Sequence, residues 1–315
     1  MNLCIIITGQ LRTFFNHSQQ HFIDMLNLSK KSYTNILIIC VISGNFNETI
    51  ITDYFNKLNV SFLIIDYNKY IPIFNSSINQ KINSDEYTKR KTEYLSYFNH
   101  AHYEINIKDS NDVPIKHSYQ YHQLEIGINE LLTYEKEYNI TYDVIMRTRF
   151  DIPYHKNFYP HFPNTILKKL LLTDTNIELY NKIIQKYKIA DIVDFLKNQQ
   201  IELPLCRVNL DYVSITFGGD YYYNNKSVEN IMNGSDDMLY AFNDYVYFAK
   251  RNIFLKLINL FNDSYIKQTN LNISHFYAPE AQLIIFCDNN SIDILMYRHY
   301  DSNGNRLDEP FRLHF

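Results

Sequence analysis

The sequence predicts an α/β fold of Rossmann-like kind, a mostly parallel sheet flanked by helices with a smaller mixed part toward the C-terminus. Three observations carry that prediction. The first third of the chain alternates short apolar runs with segments of helix-like spacing. The runs are apolar at consecutive positions, which suits strands covered on both faces, as parallel strands are. Their connections are short, as strand–helix–strand units require. A chain of 315 residues, 46% hydrophobic and 20% charged, has ordinary globular composition and can bury a substantial core in one large domain.

Taken in order, Leu3 to Ile7 reads as the first strand and runs into Thr8-Gly9-Gln10. Phe14 to Leu28 has helical spacing, and Asn35 to Ser43 is a second buried strand rich in Ile and Val. Phe55 and Leu58 mark the end of a second helix, before a third strand at Val60 to Ile65. Asn68 to Asn111 reads as loop-rich, with one helix near Asp85 to Phe98. Pro114 opens a helical segment to about Tyr138, with Tyr121, Leu124, Ile128, Leu131 and Leu132 on one stripe. A right-handed crossover then places the Tyr142–Asp151 strand beside the earlier ones. Beyond Pro153 and Pro160 the pattern is mixed. It suggests a helix over Asp191–Asn198, a strand over Val208–Phe217 broken by Gly218-Gly219-Asp220, a strand over Asn243–Phe248 and a helix over Lys250–Phe261. Pro279-Glu280 suits a first helical turn, proline by its fixed φ and glutamate by the helix dipole. Ile292 to Tyr297 reads as the last strand.

Composition narrows the function. The net charge is −4 and no basic block occurs, so nucleic acid is not an expected partner. No segment approaches the roughly 20 apolar residues that span a bilayer, and the N-terminal apolar run is too short for a signal peptide. Cys4, Cys40, Cys206 and Cys287 are scattered, with no C-x-x-C pair, and Cys4 and Cys40 lie in strand-like runs that suit reduced, buried thiols. The expectation is a cytoplasmic protein with no transmembrane segment. The 28 Tyr and 21 Phe, with no Trp, accompany an Asn- and Ile-rich bias that accounts for the many Asn-x-Ser/Thr sequons without glycosylation. His100/His102, His117/His122 and His155/His161 lack a zinc-site pattern. The motifs of nucleophile-elbow hydrolases, phosphate-loop NTPases and dinucleotide dehydrogenases are missing too.

What remains is Tyr142-Asp143-Val144-Ile145-Met146-Arg147-Thr148-Arg149-Phe150-Asp151, an apolar strand running into two arginines and an aspartate. Strand alternation points Arg147, Arg149 and Asp151 the same way. An internal Arg–Asp ion pair is one reading. The other is a site for an anionic ligand with a metal, since guanidinium forks fit phosphate oxygens and a carboxylate fits a hard divalent cation. The first strand ends in Thr8-Gly9-Gln10-Leu11-Arg12, where ligands of open α/β sheets bind. Gly9 permits close backbone approach, Gln10 donates and accepts, and Arg12 can clamp a phosphate. Asp66 closes the third strand as a nucleoside contact or as a turn cap.

Thr8–Arg12, the Arg149-Phe150-Asp151 segment and the Pro279-Glu280 helix start resemble glycosyltransferases of the GT-A type. The similarity is to the branch typified by WavE-like lipopolysaccharide-synthesis proteins and relatives in large DNA viruses. The resemblance implies a single GT-A-like domain over 1–315, with 1–151 as nucleotide-binding half and 152–315 as acceptor-side half. It implies transfer of a sugar from a nucleotide-diphosphate donor to a glycan or small-molecule acceptor. Thr8, Gly9, Gln10, Arg12, Asp66, Arg147 and Arg149 would line the donor site, and Asp151 would hold Mn or Mg. Arg149 stands where the family's Asp-x-Asp motif has its first carboxylate, which puts metal dependence in question. Asp244 and Glu280 are the candidate acceptor-side bases, Glu280 also being explained by its helix start; Asp236-Asp237 reads as a solvated loop. The alternative is a non-catalytic nucleotide- or glycan-binding protein that retains the fold.

Overall fold

A computed structural model gives the architecture, and the residues described are 1–12, 14–97, 118–152, 160, 237, 239–242, 246–267, 279–292 and 294–296. The fold is α/β, built on a mixed sheet flanked by helices. Its strands are β1 (Asn2–Gly9), β2 (Asn35–Ile42), β3 (Ser61–Asp66), β4 (Val144–Arg149), β5 (Leu239–Phe242), β6 (Val246–Lys250) and β7 (Ile294–Met296). They lie in the order β3-β2-β1-β4-β6-β5-β7. Only β6 runs against the rest, pairing antiparallel with β4 and β5. β1 is central, with Leu3 level with Val144 on one side and with Ile36 on the other. The apolar runs of β1 and β2 are buried almost throughout, as two-sided cover requires.

Helices α1 (Gln19–Ser29) and α2 (Glu48–Lys57) cover one face. There Phe55 of α2 stacks on Phe62 of β3 at 5.5 Å, and Phe14 meets Phe150 edge-on at 5.5 Å. A π-helical turn, Phe14–Ser18, leads into α1. The opposite face carries α3 (Ile71–Ile82), α4 (Asp85–Tyr97), α5 (Tyr119–Tyr138), the short α6 (Arg251–Phe254) and α7 (Leu260–Asp263), and α8 (Pro279–Asn289). Gly127 lets α5 approach the sheet. A Cβ there would lie 2.5 Å from Cγ2 of Ile6, so any side chain would force the layers apart. Of the expected stripe on α5, Tyr121, Leu124, Ile128 and Leu131 are buried and Leu132 is partly so. The helix ends at Asn139, left-handed at φ 49°.

Three expectations need correction. Asn68 to Asn111 is not loop-rich where described. Tyr67–Tyr70 forms a 3₁₀ turn and α3 follows, with Pro72 in its first turn and Phe74 and Ile78 as its buried contacts. Exposed Ile71 and Ile73 lie off the buried Phe74 and Ile78 stripe and blur its period. The single helix expected over Lys250–Phe261 is broken by a 3₁₀ stretch at Leu255–Asn259 between α6 and α7. β5 was not foreseen, because four residues are too few to show a period. The elements expected over Asp191–Asn198 and Val208–Phe217, and the helix start at Pro114, lie outside the described residues.

Candidate functional site

β1 is the point where the chain's winding reverses. β2 and β3 are added on one side of it, and β4 on the other. α1 and α2 cover one face and α5 the other, so the loops leaving β1 and β4 diverge and open a crevice at their carboxyl ends. In open α/β sheets that crevice is where ligands bind. The register places Thr8 directly beside Arg149 and Ile6 beside Arg147. The two segments singled out in the sequence are therefore neighbours.

On the β4 side the two arginines differ. Arg147 is only 1% exposed. Its Nε and Nη2 donate to Oγ1 of Thr8 at 3.2 and 3.0 Å, and Nη2 also reaches Oε1 of Gln120 at 3.3 Å. Its guanidinium lies 5.5 Å from the ring centre of Tyr247, a cation–π arrangement. Arg147 thus ties the end of β1 to the first turn of α5. Arg149 lies nearer the surface. Its Nε and Nη2 donate to the two carboxylate oxygens of Asp151 at 2.9 and 2.5 Å, with side chains 34% and 28% exposed. The ion-pair reading is thus realised between Arg149 and Asp151, while Arg147 serves a different purpose.

The rim continues across β1, β2 and β3. Gly9 has φ +116°, a conformation that favours glycine, and a Cβ there would meet no atom of the described residues within 4 Å. The Gly9 carbonyl accepts from the N–H of Ser43 at 3.0 Å, joining the ends of β1 and β2. Gly44, at φ +80°, lies under the side chain of Gln10, whose Cδ is 3.6 Å from where a Cβ would be. The oxygen Oε1 of Gln10 in turn accepts from Nε of exposed Arg12. Asp66 caps the 3₁₀ turn after β3, its Oδ1 accepting from the backbone N–H and the side-chain Nδ2 of Asn68 at 3.0 and 2.8 Å. Its turn-cap role is therefore present, and its Oδ1 faces Asn68.

The acceptor-side candidates are placed only by their neighbours. β5 ends at Phe242 and β6 starts at Val246, paired with each other at the carboxyl edge, and Asp244 itself lies outside the described residues. Asp236 lies outside them too, and Asp237 pairs with Lys250 at 2.9 Å on the surface. Glu280 is the second residue of α8. No group of three His, Cys, Asp or Glu able to hold a metal ion occurs among the described residues. Cys4, Cys40 and Cys287 are buried, and burial pushes the Cys4 and Cys40 thiols up.

Beside the crevice, α5 also carries His122 in an apolar box. Its ring packs on Phe261, Tyr67 and Phe74 at 4.8, 5.6 and 5.7 Å, and its Nδ1 hydrogen-bonds the Tyr67 hydroxyl at 2.9 Å. Burial, then the nearby Lys81 charge, lowers its pKa to about 4. Lys81 donates to the carbonyl of Phe261 at the end of α7, and burial lowers it to about 8. These residues weld α3, α5 and α7 together; the histidine is not a ligand in waiting.

Three residues of the site were not singled out from the sequence. Gln120 interrupts the apolar stripe of α5 at its first turn, and a crossover helix begins at the carboxyl edge. Asn68 follows Asp66 at the spacing of a side-chain-capped turn. Gly44 closes the second apolar run. Each carried a weak local signal, and only the sheet order brings them together. No protein-family model, curated protein or solved structure matches this chain.

Proposed function

We propose that the chain is a GT-A-like glycosyltransferase, moving a sugar from a nucleotide-diphosphate donor to a glycan or small-molecule acceptor. The observation that carries this reading is the meeting of the Thr8–Arg12 turn and the Arg147–Asp151 strand end at the reversal point of the sheet. That crevice offers what a leaving diphosphate needs. Arg12 is exposed, Arg149 is partly exposed, and Gln120 at the amino end of a 20-residue helix meets the buried Arg147. Fixed cationic groups aimed at the diphosphate stabilise the charge that develops as the glycosidic bond breaks. Arg147 contributes from beneath, through its charge and by fixing Thr8, rather than by contact. Asp66 lies where the nucleoside would extend along the rim.

Asp151 is the residue that would hold a divalent cation, which a single carboxylate can do when phosphates and waters complete the shell. Both its oxygens are engaged by Arg149, so the residues present do not form a resident metal site. The pair is a third exposed, and such pairs hold by about 1 kcal/mol or less. A diphosphate that competes with Asp151 for Arg149 would leave Asp151 for a cation that arrives with the nucleotide. For an inverting transfer the acceptor hydroxyl needs a carboxylate base, and the resemblance assigns it to Asp244, with Glu280 second.

The closed Arg149–Asp151 pair also favours the second reading, a nucleotide- or glycan-binding protein without turnover. Thermal shift across nucleoside diphosphates tests the shared part, because a ligand of the native state raises its stability. Hydrolysis of nucleotide sugars with and without manganese separates the two readings. Binding without any hydrolysis or transfer favours the non-catalytic protein; no stabilisation by any nucleoside diphosphate removes the transferase and the nucleotide-binding protein, leaving only a glycan-binding one.

A further inference from the structure

We infer that Asn68 is a positioning residue for the arm formed by Gln10 and Arg12, an inference that rests on the donor-site reading above. Asn68 grips Gly44 at two points. Its Oδ1 accepts from the Gly44 N–H at 3.0 Å and its Nδ2 donates to the Gly44 carbonyl at 2.9 Å. The amide therefore pairs with the N–H and C=O of one residue as a neighbouring strand would, beyond the point where β2 and β3 part. Its own orientation is fixed by Asp66, which accepts from the same Nδ2 at 2.8 Å and from the Asn68 N–H at 3.0 Å. Gly44 is thereby held at φ +80°, with its Cα side turned to the Gln10 side chain. Gln10 lies on that surface and its Oε1 takes the Nε of Arg12. The guanidinium of exposed Arg12 is thus held through its Nε. The chain Asp66, Asn68, Gly44, Gln10, Arg12 crosses the ends of three strands. It lets a residue that touches no phosphate set the position of one that does, because a pre-oriented arginine loses less freedom on binding.

A double-mutant cycle tests this, with inorganic pyrophosphate and uridine 5′-diphosphate as probes in calorimetric titrations. Arg12→Ala is expected to weaken both probes about tenfold, the scale of a charge-assisted hydrogen bond. Asn68→Ala is expected to weaken them roughly fivefold, and the double variant to bind about as Arg12→Ala alone, because the two losses share one route. Asn68→Asp keeps the size and the acceptor for Gly44 N–H but loses the donor and faces Asp66, so it should behave like the alanine variant. Losses that multiply in the double variant, or full affinity in Asn68→Asp, overturn the inference while leaving the donor site standing. If Asn68→Ala does not fold, Gly44→Ala strains the same link at φ +80° and replaces it in the cycle, with the same two outcomes. Wild-type protein that binds neither probe removes the donor-site reading, and this inference with it.

Discussion

The two edges of the sheet each carry an arginine–carboxylate pair, and the pairs are built differently. At the amino edge Glu135, near the end of α5, accepts from Arg251 at the start of α6, 116 residues away, with Nη2 to Oε2 at 2.7 Å. The same carboxylate accepts from the N–H of Tyr142 at 2.9 Å, and its side chain is only 7% exposed. Next to it Asp143 accepts from the N–H of Asn2 at 2.7 Å, so the starts of β1, β4 and α6 are tied together. At the carboxyl edge Arg149 pairs with Asp151, only two residues further along the chain, so this ion pair lies within one segment. One pair closes the fold. The other is local and partly exposed, as a ligand site at that edge requires.

The sharpest way to break the comparison is to remove each carboxylate. Glu135→Ala leaves Arg251 and the Tyr142 N–H without their acceptor. Breaking a buried pair costs about 3–5 kcal/mol; with Arg251 a third exposed, a loss of about 2–3 kcal/mol in denaturant unfolding is expected. Asp151→Ala should cost under about 1 kcal/mol by the same measurement. Equal costs would mean that the carboxyl-edge pair is a structural tie after all.

Gly127→Ala tests the layer between the edges. The new methyl would lie 2.5 Å from a backbone-anchored Ile6 side chain, and overpacking of this kind costs about 1–3 kcal/mol. A variant as stable as wild type would show that α5 can lift from β1 freely. The helix would then be a poor anchor for Gln120 and Arg147.

A smaller effect concerns pH. His122 is held at about 4, below its ordinary 6.5, chiefly by burial. Between those values the unfolded chain binds a proton that the folded one refuses, so stability falls as pH is lowered from about 6.5 and levels off below about 4. The slope from one such group cannot exceed about 1.4 kcal/mol per pH unit. Burial raises the neighbouring Glu125, which pushes the other way: its contribution is present at low pH and lost as pH rises through its folded value. The difference between wild type and His122→Gln isolates the histidine. If both lose stability in parallel below pH 6.5, the histidine takes no part in it.

The fold was legible where the pattern is strong and two-sided. Leu3–Ile7, Asn35–Ser43 and Val60–Ile65 became β1, β2 and β3 within a residue or two at most ends, because consecutive apolar residues leave few alternatives to a covered strand. α3 was missed because only Phe74 and Ile78 are buried while Ile71 and Ile73 are exposed, so its apolar residues do not mark one face. For the site, the types and spacing of Arg147, Arg149 and Asp151 were readable, but their division of labour was not. Strand alternation puts Arg147 and Arg149 on one face. That Thr8 and Gln120 claim the first, and Asp151 the second, depends on α5 lying over β1 and β2, and no local sequence signal states that.

Asp151→Asn is the mildest change for the fold and the most informative for the site. It keeps the shape and one acceptor oxygen for Arg149 and removes the charge, so a stability change within about 0.5 kcal/mol is expected. Ligand binding should respond in two opposed ways. Without its carboxylate partner Arg149 is freer to meet a phosphate, so metal-free affinity for a nucleoside diphosphate should hold or rise. The extra affinity conferred by manganese should vanish, because no charged oxygen remains beside the diphosphate to share the cation. Titrations of uridine 5′-diphosphate with manganese and with chelator, on both proteins, read these effects separately. A manganese increment that survives the substitution makes Asp151 only the partner of Arg149, and the carboxyl-edge pair is then a tie of the same kind as its counterpart, merely weaker.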